Sequence, residues 1–195
     1  DHIAVWAANL PEWPLLQMAA AKAGLVLVTI NPILRAAEVE YILKQGDVRA
    51  LFFMARVRDY DCLAAIRSMT TPGAKNGEVS SERLPMLRYV CLLGAPPAGL
   101  LEQEGWRPTM FREMVAGGAQ VSADALAERQ AFVTPHDPAL ILYTSGTTGF
   151  PKGAVLTHHN LLNQAMLIAQ SAEIGQDARG CVLVPFFHVF GCVGY

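Results

Sequence analysis

Charged side chains are scarce in this sequence. Of its 195 residues, 16% are charged and 52% are hydrophobic, whereas about a quarter of the residues in a typical soluble domain are charged. No apolar run reaches the roughly 18 residues that a membrane-spanning helix needs, so we expect no transmembrane segment, while peripheral contact with a membrane stays open. We attribute the apolar excess to a sheet that is buried on both faces, or to surface that meets a further domain.

Positive charge is not concentrated in any part of the chain either. The net charge is −2 at neutral pH, and no basic block occurs. A protein that binds nucleic acid needs basic surface to neutralise phosphates, so we expect no nucleic-acid partner. The chain also lacks internal repeats at the spacing of solenoid proteins.

Cysteine is rare, and its spacing argues against two common uses. No C-x-x-C pair occurs, which disfavours both a disulfide framework and a zinc site. We therefore expect reduced, buried thiols in a cytoplasmic protein at the four positions, Cys62, Cys91, Cys181 and Cys192. His158 and His159 are neighbours on a predicted helix and point apart, so we expect no metal other than Mg²⁺.

Strand-like and helix-like segments alternate along the chain. Strands are predicted over 3–7, 25–30, 50–53, 87–93, 139–142, 154–156 and 181–185. Helices are predicted over 10–23, 35–45, 59–69, 111–116, from 122 onward and over 157–172, with a surface loop at 70–84. The strand at 25–30 lacks polar alternation, which is typical of a parallel sheet covered on both faces. The pattern predicts an α/β fold with layered, parallel-type sheets and flanking helices.

The most distinctive stretch is a Gly-rich loop between two apolar runs that both predict buried strands. The eleven residues from Tyr143 to Gly153 contain four aliphatic hydroxyls, three glycines and one lysine. Glycines let backbone N–H groups approach an anion closely. Hydroxyls donate further hydrogen bonds, and a lysine supplies a compact positive charge. The loop is therefore a predicted phosphate cradle.

This loop differs from the Walker A phosphate-binding motif at two positions. Gly146 and Lys152 have the separation that the motif requires. Pro151 stands where the second glycine belongs and has no N–H to offer, and Gly153 stands where a Ser or Thr would hold Mg²⁺. We reject a Walker A loop and keep a nucleotide phosphate as the ligand. A flexible Gly/Ser/Thr linker is the alternative, and the strands on both sides argue against it.

The stretch from Thr144 to Gly153 resembles the signature phosphate loop of the adenylate-forming superfamily, which contains acyl-CoA synthetases, luciferases and the adenylation domains of peptide synthetases. Matches upstream extend the resemblance over essentially the whole chain, at Asn9, Glu12, Trp13, Gly24, Asn31, Pro32, Glu38 and Tyr41. The resemblance implies an incomplete large N-terminal AMP-binding domain over 1–195. A first α/β region would occupy 1–138, and the phosphate loop and the start of an acyl pocket would occupy 139–195.

The activity implied by this resemblance is that of an ATP-dependent fatty acyl-CoA synthetase. Such an enzyme joins a fatty acid to ATP to give acyl-AMP and pyrophosphate, and then forms a thioester with coenzyme A. The implied ATP- and phosphate-binding residues are Thr144, Ser145, Gly146, Thr147, Thr148, Gly149 and Lys152. Lys152 and Thr148 are the implied catalytic residues, and Thr144 is an implied ligand of Mg²⁺.

A second motif, Pro-Phe-Phe-His-Val-Phe-Gly at 185–191, resembles the aromatic–His turn that lies at the carboxylate and acyl pocket of the family. The pocket residues implied by it are Phe187, His188 and Gly191. A buried histidine satisfied by the backbone is the alternative for His188, and close packing is the alternative for Gly191.

Other functions stay open at this point. They are an aryl- or amino-acid-adenylating member of the same superfamily, a P-loop-type NTPase and a non-catalytic nucleotide-binding module. The later motifs of the family, for Mg²⁺, ribose, the hinge and the C-terminal lysine, do not occur in the sequence. We therefore expect a fragment cut at both ends, catalytically silent on its own.

Overall fold

A computed structural model describes residues 1–99, 105–144 and 151–194. The strands in these ranges are β1 His2–Trp6, β2 Val26–Ile30, β3 Val48–Met54, β4 Arg56–Val57, β5 Tyr60–Asp61, β6 Thr71–Pro72, β7 Val79–Ser80, β8 Tyr89–Leu93, β9 Thr109–Met110, β10 Pro138–Thr144 and β11 Lys152–Thr157. The helices are α1 Glu12–Ala23, α2 Ala36–Gln45, α3 Cys62–Met69, α4 Phe111–Gly117, α5 Ala123–Ala131, α6 His158–Ser171 and α7 Val189–Val193, with a 3₁₀ turn at Gly118–Gln120.

Seven of these strands form one sheet in the order β11-β10-β2-β1-β3-β8-β9. Every neighbouring pair is parallel except β10 and β11, which are antiparallel. The pairs β4–β5 and β6–β7 form two small separate ribbons. The predicted α/β fold with a mainly parallel sheet and flanking helices is confirmed.

The central strand β1 shows how the sheet is buried on both faces. Because successive side chains of a strand point to opposite faces, Ile3 and Val5 join a core cluster that includes residues of α1 and β10. Ala4 and Trp6 join a second cluster on the other side that includes residues of α2 and α3. All five residues of β2 are buried, as its mainly apolar sequence without polar alternation predicts.

Helices α1 and α2 bury the faces that their sequences predict. In α1 the buried residues include Trp13 and Leu16, and in α2 they include Ile42. Helix α1 ends at Gly24, which has φ of +63°, a left-handed conformation that glycine adopts without steric cost. The side chain of Arg129 on α5 donates to the carbonyl of Ala23 at 2.8 Å and so caps the same end.

Two predicted boundaries in the first half of the chain are wrong. The third helix begins at Cys62, three residues late, because Asp61 caps it by accepting a 2.9 Å hydrogen bond from the N–H of Ala64. The stretch 70–84 is not only surface loop, since it contains β6 and β7. Its residues Val79 and Leu84 are buried in the core with 5% and 2% exposure.

The two strands predicted to flank and follow the phosphate loop also differ from expectation. Strand β11 forms at the edge of the sheet but is not buried, and Val155 is 55% exposed. The segment 181–185 is not a strand. A strand needs a partner for its backbone groups, and no described residue pairs with this segment in a sheet.

The four cysteines are all free thiols, as predicted. Three of them are buried, whereas Cys181 lies in the open segment 181–185 and is exposed. The expectation of a buried thiol is therefore wrong at that one position. None of the helices within the described ranges has the length and apolar character that crossing a membrane requires.

Candidate active site

The candidate site lies at the carboxyl ends of the central strands. Strands β10, β2 and β1 are parallel neighbours, so their carboxyl ends meet at one edge of the sheet. Asn9 follows β1, Asn31 follows β2, and the predicted phosphate loop follows β10 at Thr144. Strand β2 lies on one side of β1 and β3 lies on the other, so the direction in which successive strands are added to the sheet reverses at β1. Open α/β sheets bind ligands at such switch points, beyond the carboxyl ends of their strands.

The structure describes the two ends of the phosphate loop. Thr144, the last residue of β10, pairs with Lys152, the first residue of β11, and its hydroxyl lies 3.5 Å from the carbonyl oxygen of Lys152. Both side chains are exposed at this end of the hairpin. The five remaining predicted phosphate-binding residues lie outside the described residues. They are Ser145, Gly146, Thr147, Thr148 and Gly149.

Helix α2 supports the base of this loop through Tyr41. The Tyr41 hydroxyl donates to the carbonyl oxygen of Pro151 at 3.3 Å, across 110 positions of sequence. Tyr143 lies beside it in β10. Burial, and then the neighbouring Tyr41 and Asp47, raise the pKa of Tyr143 to about 12. Its phenol therefore stays protonated and neutral at physiological pH.

The glycine after Lys152 has a packing reason. A Cβ atom at Gly153 would lie 2.9 Å from Cγ2 of Ile141 and 3.3 Å from Cζ of Tyr143, both on the facing strand β10. A side chain here would push the two strands of the hairpin apart or displace the Tyr143 ring. The departure from the Walker A motif at Gly153 therefore follows from the antiparallel pairing of β10 with β11.

The aromatic–His turn lies between the open segment and α7. His188 is exposed, and its Nδ1 accepts a hydrogen bond from the N–H of Phe190 at 3.3 Å, which caps α7. In neutral imidazole Nε2 then carries the proton and is a donor. The alternative of a buried histidine does not describe His188. Phe187 is half-buried against the core cluster that contains α1.

Gly191 sits where α7 crosses the start of the turn. A Cβ atom at this position would lie 2.0 Å from the carbonyl oxygen of Pro185, closer than any real contact. Gly191 is buried, and its N–H donates to the carbonyl of His188 at 2.8 Å. Close backbone packing therefore requires glycine here, whether or not a ligand approaches the same residue.

Thr157 and Asn160 cap the start of α6, while His158 makes a different contact. The Asn160 side chain accepts from the N–H of Thr157 at 3.0 Å, while the Thr157 hydroxyl accepts from the N–H of Asn160 at 3.2 Å. His158 joins the preceding loop through its backbone N–H, which donates to Asp137. Its Nε2 atom is buried and has no hydrogen-bond partner among the residues that the structure describes.

Sequence reasoning missed Gln17 as a residue of this region. Its Nε2 donates to the carbonyl oxygen of Cys192 in α7 at 2.7 Å. Gln17 lies four positions after Trp13, so these two residues share one side of α1. That spacing is the signal from which the contact with α7 could have been suspected.

The described residues do not form a Mg²⁺ site by themselves. Within the described ranges no group of three or more His, Cys, Asp or Glu side chains could hold a metal ion. Thr144 offers a single neutral hydroxyl oxygen, whereas Mg²⁺ demands an octahedron of oxygen ligands. Any Mg²⁺ near Thr144 therefore needs most of its ligands from elsewhere.

The sequence pattern of one family, described as AMP-binding enzyme, matches residues 1–195, which is the entire chain. The chain belongs to the AMP-binding enzyme family. This confirms the resemblance drawn from the phosphate loop and the upstream residues.

Curated relatives of this AMP-binding chain are acyl-CoA synthetases by name. YngI of Bacillus subtilis, assigned as an acyl-CoA synthetase, is 40% identical over 195 residues, which cover 99% of this chain and 34% of YngI. The mitochondrial medium-chain acyl-CoA ligase ACSF2 of Rattus norvegicus is 34% identical over 201 residues, which cover 100% of this chain and 31% of the ligase. The chain thus spans about a third of the length of these relatives.

Solved structures of CoA ligases share the fold of this AMP-binding chain. A Rhodopseudomonas palustris protein assigned as a long-chain-fatty-acid CoA ligase matches with a TM-score of 0.65 and 18% identity, over 98% of this chain and 40% of that one. The o-succinylbenzoate CoA synthetase of Bacillus subtilis with its acyl-adenylate matches at 0.59 and 17%, over 99% and 39%. The anthranilate CoA ligase AuaEII with anthranoyl-AMP matches at 0.61 and 23%, over 100% and 32%.

Proposed function

We propose that the whole protein containing this chain is an ATP-dependent acyl-CoA synthetase that acts on fatty acids. The observation that carries the proposal is the arrangement of two motifs around one end of the sheet. The phosphate loop leaves β10 at this end, and the aromatic–His turn contacts Asn9, which follows β1 at the same end. The relatives named as acyl-CoA ligases support the same reaction class.

In the first half-reaction the fatty acid carboxylate attacks the α-phosphate of ATP, and pyrophosphate leaves with the negative charge. Donors that point at the developing charge stabilise it most in the transition state. Lys152 supplies positive charge there, and Thr148 supplies a hydroxyl, as the catalytic residues. Thr144, Ser145, Gly146, Thr147 and Gly149 complete the proposed phosphate contacts.

The aromatic–His turn is proposed to hold the acid. With Nδ1 of His188 bonded to the backbone, Nε2 can donate to the carboxylate and orient it toward the α-phosphate. Phe187 would contribute an apolar wall for the acyl chain, and Gly191 the close packing that shapes the turn. In the second half-reaction the thiol of coenzyme A attacks the acyl carbonyl and AMP leaves. Mg²⁺ bound to ATP would neutralise phosphate charge, with Thr144 as a proposed contributor.

The second candidate is an acyl-CoA synthetase for aryl acids. The neighbours named for o-succinylbenzoate and anthranilate show that proteins with this fold take such acids. The identity of the acid therefore has to be measured.

The test supplies the whole protein with ATP, coenzyme A and a panel of medium-chain, long-chain, aryl and amino acids. Mass spectrometry then detects acyl-adenylates and acyl-CoA thioesters. We expect thioesters of medium- or long-chain fatty acids, and no product from the 195-residue chain alone. Thioesters of aryl acids only would favour the second candidate. ATP hydrolysis that does not depend on any acid would contradict both.

A further inference from the structure

We propose that Asn9 is a positioning residue that holds the aromatic–His turn in register with the central strand of the sheet, and so sets the place of the carboxylate substrate. The inference rests on the proposed function, because it concerns the acid side of that same site. Asn9 acts through the turn and is not proposed to touch the substrate.

The side chain of Asn9 makes two hydrogen bonds to the backbone on either side of Pro185. Its Nδ2 donates to the carbonyl oxygen of Val184 at 2.9 Å, and its Oδ1 accepts from the N–H of Phe186 at 2.8 Å. A carbonyl can only accept and an N–H can only donate, so the orientation of the amide is fixed by its partners. The amide thus pairs with the turn as a neighbouring strand would.

Helix α1 adds two contacts from the same side. The rings of Trp13 and Phe186 lie 6.2 Å apart at a tilt of 53°, and Gln17 donates to the carbonyl of Cys192 at 2.7 Å. Trp13 and Gln17 are four positions apart on α1, so one side of this helix contacts the stretch 186–192, beyond the two bonds that Asn9 makes. The start of α1 is therefore built as a support for the whole turn.

A continuous path of contacts connects Asn9 to the imidazole. The N–H of His188 donates to the carbonyl of Pro185 at 3.1 Å, which fixes the histidine backbone to the residue that Asn9 brackets. The N–H of Phe190 then fixes Nδ1 of the ring. Asn9 lies three residues after β1. This path of contacts therefore connects the Nε2 atom of His188 to the most central strand of the sheet.

The position of Nε2 matters for the acid and not for the nucleotide. A shift of about 1 Å in a group that orients a reactant can lower the rate by about a hundredfold. The described contacts of the phosphate hairpin involve Tyr41 and β10, neither of which is bonded to Asn9 in the described part of the chain. Loss of the Asn9 bonds is therefore expected to weaken use of the carboxylate selectively.

The experiment uses the whole protein with Asn9→Ala and Asn9→Asp. The aspartate keeps an acceptor for Phe186 but cannot donate to Val184. The matched control is Asn31→Ala, which removes an amide at the same end of the sheet. Within the described residues its side chain accepts from the N–H of Ile33, two positions along the chain. Circular dichroism and thermal unfolding verify that each variant is folded, and Asn9→Asp serves if Asn9→Ala does not fold.

Two readouts are compared. Residue-resolved hydrogen exchange should show the Phe186 amide losing about tenfold or more of its protection in Asn9→Ala and keeping it in Asn31→Ala. In ATP–pyrophosphate exchange, the KM for the carboxylate should rise about tenfold in both Asn9 variants, with the KM for ATP unchanged. A merely structural role would move both KM values together.

Unchanged protection of Phe186 in Asn9→Ala, or a parallel rise of both KM values, would overturn the proposal. If the unaltered protein exchanges pyrophosphate with no acid, the proposed function fails and the substrate part of this inference fails with it. The hydrogen exchange of Phe186 still decides whether Asn9 holds the turn, so the two failures are distinguishable.

Discussion

The centre of the sheet and its β11 edge differ in how completely helices cover them. Around β1, β2 and β3, helices cover both faces, and every residue of β2 is buried. Around β11, α6 and α7, apolar side chains face solvent, with Val155 55%, Leu162 70% and Phe190 61% exposed. The apolar excess of the sequence therefore has two sources, a doubly covered sheet and an open apolar surface.

Most residues that stabilise the fold therefore lie in the covered region, while the predicted site residues lie in the open region. Lys152 and His188 lie in the open region, while the residues that hold their surroundings come from elements of the covered region. Tyr41 is half-buried on α2, and Asn9 is an exposed residue that follows β1. Substitutions in the covered region should lower the free energy of unfolding. Substitutions of exposed side chains in the open region should change local geometry and cost little stability, whereas buried positions of α7 such as Gly191 should behave like the covered region.

The largest contrast should appear in thiol reactivity. Burial, with a smaller contribution from Glu113, raises the pKa of Cys91 to about 12, and burial raises the pKa of Cys62 and Cys192 to about 11. Only thiolates react, so at pH 8 the three buried thiols should be alkylated at least about a hundredfold more slowly than exposed Cys181. Intact-mass spectrometry of the chain with iodoacetamide should show one rapid addition.

Labelling in guanidinium chloride is the control, and it should add four groups at similar rates. Raising the pH toward 11 should accelerate the slow thiols, because the thiolate fraction grows as the pH approaches a raised pKa. A second rapid addition at pH 8 would show that at least one of the three buried thiols becomes accessible easily, and would contradict the prediction.

A matched pair of leucines measures the same contrast in stability. Leu27 in β2 is 1% exposed, and Leu27→Ala should lower the free energy of unfolding by about 2–5 kcal/mol, since it leaves a cavity. Leu162 in α6 is 70% exposed, and Leu162→Ala should change the free energy by less than about 0.5 kcal/mol. Guanidinium unfolding followed by circular dichroism gives both values. Equal losses would contradict the contrast.

A pair of glycines tests the packing of the aromatic–His turn. Gly191→Ala places a Cβ 2.0 Å from the carbonyl oxygen of Pro185, so the turn or α7 must shift. We expect a loss of about 1–3 kcal/mol in the free energy of unfolding. Gly180→Ala is the control, because nothing lies within 4 Å of its added Cβ, and it should cause no loss. Full stability of Gly191→Ala would mean that the close contact is not a constraint.

The smallest expected effect belongs to Tyr41. Tyr41→Phe removes the hydrogen bond to Pro151 and should cost about 0.5–1.5 kcal/mol, while Tyr89→Phe, with an exposed ring, should cost nothing measurable. In the whole protein the KM for ATP should rise in Tyr41→Phe and the KM for the acid should stay constant. If only the KM for the acid rose, Tyr41 would support the acid side of the site and not the phosphate hairpin.

The covered region could be predicted from local sequence. Apolar periodicity and Gly24 placed α1 and β2 within two residues of their observed bounds, because each boundary depends on nearby chemistry. The open region could not be predicted from local sequence, because the burial of an apolar strand depends on partners that are distant in the chain. The strand predicted at 181–185 is absent, and β11 is exposed at the edge of the sheet.

The candidate site also has residues that could be predicted from the sequence and contacts that could not. The loop with Lys152 and the turn with His188 were found from their residue types and from the family resemblance. The contacts of Asn9 with Val184 and Phe186 span 175 and 177 positions, and no local pattern encodes them. The bond from Tyr41 to the phosphate hairpin likewise needed the folded chain.

The most direct test of the account is carboxylate-dependent ATP–pyrophosphate exchange by the whole protein, with a medium-chain fatty acid, in unaltered form and as Lys152→Ala. The control Lys75→Ala replaces an exposed lysine outside the site. The account predicts exchange that requires the acid and falls about a hundred- to a thousandfold in Lys152→Ala only. Exchange that is unchanged in Lys152→Ala, or ATP turnover that needs no acid, would contradict it.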